Sequence, residues 1–248
     1  APFSTLAHMT AHRATAFLAA FNDIEQHLRS ALNAENSDSF WWIVDKARDK
    51  HMLSGKQAEA LKDLSNLRNA IAHGRYYKSE PIAEPHEAVV KQISALRDIV
   101  VSPPDTLHVL QPQKVITLTS VTSIMEAFSV IKDKDFSQIP IYDEGRFTAL
   151  LTTNTIARWV AGDLSDNHVL DAADIADIVE YKEPSDRAIF LARTVSVQET
   201  VDALSETDGQ GHRPCAAVIT EHGKVTERPM RLVTPADLPA LFDALEWE

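Results

Sequence analysis

At 248 residues the chain has room for two domains of ordinary size, and its composition, 44% hydrophobic and 24% charged, is that of a globular protein. The net charge of −12 is unevenly spread: residues 1–102 hold twelve Lys+Arg and twelve Asp+Glu, the remainder twelve and twenty-four. That balance argues against a broad basic footprint for nucleic acid, and Cys215, the single cysteine, excludes an intramolecular disulfide or a cysteine-built zinc site. No apolar run approaches the roughly 20 residues of a membrane span and no basic-then-apolar leader opens the sequence, so the expectation is a cytoplasmic protein with no membrane or DNA partner.

In chain order, apolar residues at Leu6, Met9, Phe17, Phe21, Ile24, Leu28 and Leu32 predict one long helix over 4–32. Ser37 or Asp38 is placed to cap a second helix carrying Phe40, Trp41, Ile43, Val44 and Ala47. Trp41 and Trp42 are adjacent and cannot share a face, so one is expected in the core and the other at a rim or dimer contact. Ser54-Gly55 opens a third helix that runs to His73, where Gly74 suits the left-handed residue that ends a helix. Pro81 and Pro85 mark a loop, and a fourth helix follows over about 86–101. Four helices joined by short loops predict a bundle. His8, His12 and His27 read as ordinary helix residues rather than metal ligands.

The end of the third helix gathers chemistry. Ser65, Asn69 and His73 are spaced by four and stack on one polar face, with Arg68 at its edge. A guanidinium grips phosphate oxygens, and an imidazole in the last turn can exchange a proton near neutral pH. The plainer alternative is helix capping, with Arg68 paired to Asp63 or Glu59. Arg68-Asn69-Ala70-Ile71-Ala72-His73-Gly74 resembles the Arg-x-x-x-x-His signature of HEPN domains, a likeness covering about residues 1–100. It implies a dimerising helical bundle whose paired motifs form a metal-independent ribonuclease site. In that site Arg68 would stabilise phosphate, Asn69 would orient His73 and His73 would do the acid/base work. The tyrosine found two residues after the histidine in some HEPN toxins is Arg75 here, with Tyr76 one later. Arg68, Arg75 and Lys78 leave a small local basic patch for a transient RNA encounter.

Pro103-Pro104 breaks the chain, and the pattern then changes to strand, helix, strand, strand, helix. The first set is Val115–Leu118, Val121–Lys132, Gln138–Tyr142, Phe147–Leu151 and Thr152–Val160, with Asp143-Glu144-Gly145 as a hairpin turn. The order returns 75–80 residues later as Ala188–Leu191, Val195–Leu204, Pro214–Ile219, Met230–Val233 and a last helix to Leu245, opened by Thr234-Pro235.

The phrases Phe136-Ser137-Gln138-Ile139-Pro140-Ile141 and Leu232-Val233-Thr234-Pro235-Ala236-Asp237-Leu238 resemble those of CBS domains, which pair into a Bateman module. The likeness covers about residues 107–246, with repeats at about 107–165 and 168–246. It implies adenine-nucleotide clefts in which a Thr/Ser-x-x-Asp phrase gives a hydroxyl to phosphate and a carboxylate to ribose, an arrangement suited to the start of a helix. Thr234 and Asp237 match the phrase. In the first repeat Thr152 matches but Thr155 stands where the carboxylate belongs, so that site is expected to be weak, altered or empty. The glycine usual before the phrase is Ala149 in one repeat and Arg231 in the other.

The sequence therefore predicts an α plus α/β protein: an N-terminal helical bundle, residues 1–102, followed by a tandem pair of β-α-β-β-α repeats, residues 107–246. The resemblances imply a homodimer that takes AMP, ADP or ATP as a regulatory ligand, without metal, and acts on RNA as an endoribonuclease. The alternative is a non-enzymatic nucleotide sensor whose helical domain dimerises or binds a partner. None of the seven glycines builds a phosphate-cradling loop or a nucleophile elbow.

Overall fold

A computed structural model describes residues 3–73, 83–110 and 113–247, with the side chains of residues 3–12, 73, 166 and 167 outside that description. The chain divides into two compact units: Ala1–Pro104 with Val197–Glu199 and Asp243–Glu248, and Asp105–Ser196 with Thr200–Phe242.

The first unit is built on α1 (Phe3–Leu32), α2 (Phe40–Asp49), α3 (Gly55–His73) and α4 (Glu87–Val101). Phe17, Phe21, Ile24 and Leu28 fall on one stripe of α1 and are buried against Ile43, Leu61, Ile93 and Leu96 from the other three helices. Phe21 and Phe40 approach to 4.7 Å between ring centroids, and Trp247 closes the same core. The cap of α2 is Ser39 rather than Ser37 or Asp38: its hydroxyl accepts from Trp42 N at 3.2 Å, while Asp38 Oδ2 takes the N–H of Glu35. α3 starts with a reciprocal box in which Ser54 Oγ accepts from Gln57 N and Gln57 Oε1 accepts from Ser54 N.

Neither tryptophan lies in the core, against the expectation from their adjacency. Trp41 is 50% and Trp42 43% exposed, because the buried stripe of α2 begins at Ile43. Trp41 is held by its indole N–H to Ser65 Oγ at 3.1 Å.

The second unit adds α5 (Thr106–Val109), α6 (Ile124–Lys134), the hairpin β1 (Gln138–Asp143) and β2 (Arg146–Thr152), then α7 (Thr153–Asn167) and α8 (Ile175–Ile178). After these come β3 (Ala188–Ala192), α9 (Val197–Ser205), β4 (Ala216–Thr220), β5 (Arg231–Val233) and α10 (Leu238–Asp243). Glu144 and Gly145 both have positive φ, 50° and 78°, which is the backbone of the tight turn that matches strand twist. The strand expected at Val115–Leu118 reduces to one parallel bridge, Leu118 to Ile141, with Leu118 N bonded to Pro140 O and Tyr142 N to Leu118 O. The helix expected from Val121 starts at Ile124 behind a Ser123 cap and leaves Val121 exposed.

In the second repeat β3 runs parallel to β4 through the α9 crossover, and β4 pairs antiparallel with β5. The two repeats share a core at Leu150 of β2, buried with Ala216, Val218 and Leu232, and Phe147 N donates to Val225 O at 2.8 Å. Thr152, at the end of β2, and Thr234, just after β5, thereby hold equivalent places.

Phe17 is fully buried, so Phe17→Ala is expected to destabilise the protein by about 3–5 kcal/mol, read as a lower midpoint in denaturant unfolding with an unchanged slope.

Candidate functional site

Each repeat ends its hairpin with a threonine that opens a helix, and the chemistry differs at the two. In the first, Thr152 Oγ1 accepts from Thr155 N at 2.9 Å and caps α7. The carboxylate that position 155 lacks is present in space as Asp186, from the turn before β3. Its Oδ1 accepts from Thr152 Oγ1 at 2.9 Å. Its Oδ2 accepts from Thr155 Oγ1 at 3.1 Å, Asn154 Nδ2 at 3.1 Å and Glu183 N at 2.9 Å. Asp186 is 7% exposed and Thr155 fully buried. Burial alone would raise the Asp186 carboxyl, but the Glu183 N–H and the Thr152, Asn154 and Thr155 side chains outweigh it and hold the group below its usual range. The Asp186 charge, after burial, also helps push the neighbouring Cys215 thiol up to about 11.

In the second repeat the carboxylate is Asp237 itself. Asp237 Oδ2 accepts from Thr234 N at 2.8 Å, and Asp237 N donates back to Thr234 O at 2.9 Å. Asp237 Oδ1 is paired with Arg231 Nη2 at 2.8 Å. Arg231, noted in the sequence as a missing glycine, thus sets a guanidinium beside the acid and the hydroxyl. The cluster offers a hydroxyl, a carboxylate and a cation within one short segment.

On the helical unit, Ser65, Arg68 and Asn69 of the expected set fall within the described residues. Ser65 is buried and serves Trp41 and the Lys62 carbonyl rather than an open polar face. Arg68 does not pair with Asp63 or Glu59. It lies 3.9 Å from Glu25 of α1, over the Phe21 ring at 5.8 Å, and donates to Asn69 Oδ1 at 3.2 Å. Asn69 is exposed, and its oxygen is turned to Arg68. His73 is the last residue of α3; its side chain, with Gly74, Arg75, Tyr76 and Lys78, lies outside the described residues.

A further titratable cluster pins the β4–β5 connection. Glu227 accepts from the His222 backbone N–H and ring, Thr220 Oγ1 and Lys224 N, and these bonds hold its carboxyl at about 2. Among the described residues no group of three or more His, Cys, Asp or Glu is placed to hold a metal ion, and no helix is long and apolar enough to cross a membrane.

Asp186, Asn154 and Glu183 escaped the sequence reading. Asp186 sits 34 residues after Thr152, and no local spacing announces that a turn ahead of β3 folds back onto the start of α7.

Comparison with known proteins finds similarity to CBS domains. The CBS domain family model matches residues 90–162 and supports the CBS assignment of the α/β unit. The chain is 31% identical over 108 residues to the magnesium transporter MgtE of Thermus thermophilus, a match covering 42% of this chain and 24% of that protein. It therefore spans about a quarter of that relative's length. Similar solved structures include the CBS domain pair of protein MJ0100 in complex with 5′-methylthioadenosine and S-adenosyl-L-methionine, 23% identical, covering 58% of this chain and 100% of that one, with a TM-score of 0.40. Another is protein MJ1225 from Methanocaldococcus jannaschii, 14% identical, covering 72% of this chain and 63% of that one, with a TM-score of 0.40.

The Asp186 geometry sets a pH dependence. A carboxyl held below its unfolded value, near 4, stabilises the fold above that pH and loses its contribution as pH falls through the lower folded value. Asp186→Asn should destabilise the protein at pH 7 by on the order of 2 kcal/mol, since it replaces an acceptor with a donor facing other donors. The gap to the wild type should narrow as pH falls below the ordinary aspartate value of about 4, as read from denaturant midpoints on either side of it.

Proposed function

We propose that the chain is a nucleotide-responsive regulator, in which the α/β unit binds an adenine nucleotide at Thr234 and Asp237 and the helical unit delivers the response. The observation that carries this reading is the Arg231-Thr234-Asp237 cluster at the end of a CBS-type hairpin. A carboxylate takes two hydrogen bonds from a ribose diol, and a hydroxyl with an adjacent guanidinium suits a phosphate. The CBS family match covers residues 90–162, which take in the first repeat, and the cluster stands at the equivalent point of the second.

Isothermal calorimetry with AMP, ADP and ATP tests it. Asp237→Ala removes the ribose contacts, and a charge-assisted hydrogen bond contributes roughly 1.5–3 kcal/mol, so affinity should fall at least about tenfold. Thr155→Ala should change affinity little. Absence of binding by the wild type to all three nucleotides would retire the sensor reading.

A second reading concerns the output. The half-buried Arg68 and exposed Asn69 lie near the end of a helix that carries His73 as its last residue, the residue set that the HEPN resemblance links to a metal-independent ribonuclease. In that reading Arg68 leaves Glu25 to hold the phosphate and His73 moves the proton of the attacking 2′-hydroxyl. A second copy of the chain would bring a second motif to the same cleft. His73→Ala is expected to slow cleavage of single-stranded RNA by about 10²–10⁴ without changing the circular dichroism spectrum. Arg68→Ala should be comparably severe and Asn69→Ala milder, with products ending in 2′,3′-cyclic phosphate and activity surviving a chelator. If no RNA is cut with or without adenine nucleotide, or if His73→Ala cuts at the wild-type rate, the helical unit is a non-enzymatic dimerisation or partner-binding element.

A further inference from the structure

The two repeats place a threonine cap at equivalent points, yet the acid that meets it is Asp237 of the same phrase in one and Asp186 of a distant turn in the other. We infer that Asp186 is a built-in ligand that fills the first repeat's site, so that the chain offers one regulatory nucleotide site, at Thr234 and Asp237, instead of two. The inference rests on the nucleotide reading of the repeats given above and says where on the chain that ligand binds.

The donors of the first site are already taken. The hydroxyls of Thr152 and Thr155 and the side-chain amide of Asn154 are what that phrase would turn toward a nucleotide. All three are bonded to Asp186, at 2.9, 3.1 and 3.1 Å. Glu183 N adds a fourth bond at 2.9 Å, so the carboxylate accepts through both oxygens. Thr152, Thr155 and Asp186 are all buried, with Asn154 exposed at the rim. α7 is a 15-residue helix, and the partial positive charge at its start already faces this anion.

A phosphate arriving here would have to displace a bonded carboxylate and would then sit against it. The cation beside it, Arg158, is already committed to Glu183, which also accepts from Asn154 Nδ2 at 3.0 Å. Arg187 follows Asp186 in the chain but donates through Nη2 to His212 O.

The second site differs in sign. There the group facing the carboxylate is the Arg231 guanidinium, at 2.8 Å, and Pro235 and Ala236 beside it are exposed. The half-buried Thr234 hydroxyl leans on Asp237 Oδ2 at 3.4 Å, a long bond that a phosphate can replace with Arg231 alongside, whereas at the first site a buried carboxylate repels an anion. The substitution of Thr155 for the acid of the phrase is therefore compensated inside the fold, and the compensation closes the site.

AMP is titrated into the full chain and followed by calorimetry and native mass spectrometry, for the wild type, Asp237→Ala and Thr155→Ala. In parallel the side-chain carboxyl of Asp186 is titrated by carbon NMR in the wild type, its signal assigned by its loss in Asp186→Asn. The expected result is one AMP per chain, lost in Asp237→Ala and kept within about twofold in Thr155→Ala, with Asp186 titrating below the ordinary aspartate value of about 4. Two AMP molecules per wild-type chain, or binding that survives Asp237→Ala but falls tenfold in Thr155→Ala, overturns the inference. If the wild type takes up no AMP, the nucleotide reading fails, and closure is judged by the NMR titration alone. There a depressed Asp186 sustains it and an ordinary one overturns it.

Discussion

The first turn of a helix carries N–H groups with no partner inside the helix, and something outside must accept from them. That obligation organises this protein at the points that matter. Ser39 meets it for α2, Ser54 and Gln57 for α3, Ser123 for α6, Thr152 for α7 and Asp237 at the second repeat's cap. At α7 the obligation reaches further, because Thr152 itself leans on a carboxylate from a distant turn. Asp186 ties the end of β2, the start of α7 and the approach to β3 into one buried polar knot.

A buried carboxylate is costly unless every lone pair it turns inward is engaged, and Asp186 is kept ionised by four donors. The same chemistry that would recognise a nucleotide is here used to recognise a piece of the chain. Asp237 shows the alternative outcome. It serves its own cap with one oxygen and an arginine with the other, near the surface. Both repeats run from a helix into an antiparallel strand pair, with a single bridge before the first helix where the second repeat has β3, and they diverge in what the terminal threonine faces.

The helical unit repeats the theme of groups committed to structure. Arg68 rests against the core aromatic Phe21 and Glu25, so its release from that pair is a requirement for contact with any phosphate. Trp41 and Trp42 lie outside the core because Phe40, Ile43, Val44 and Ala47 fill the face of α2 that points inward, and Lys62 and Lys46 stand 5.3 and 5.9 Å over their rings.

Much of the architecture was legible in the residues. Apolar spacing located α1, α3 and α4, because a helix must bury one stripe and the spacing of that stripe is local. The Glu144-Gly145 turn and the two strands it joins followed from β-branched runs and turn chemistry, though not the register shift between Ile141 and Tyr142, and the repeat was visible as a returning order of elements. The short stretch at Val115–Leu118 misled, since β-branched residues favour extended backbone but cannot say how many ladder bonds a neighbour supplies. Sequence also marked Thr155 as a departure from the carboxylate pattern, and stopped there. Only the tertiary structure decided that Asp186 fills the gap, that Arg231 faces Asp237, and that Arg68 approaches Glu25 of α1 rather than Asp63 or Glu59. Helical periods and caps act over four residues and can be read along the chain. Ion pairs and buried hydrogen bonds join residues 6, 34 or 43 positions apart, and their partners are chosen by packing.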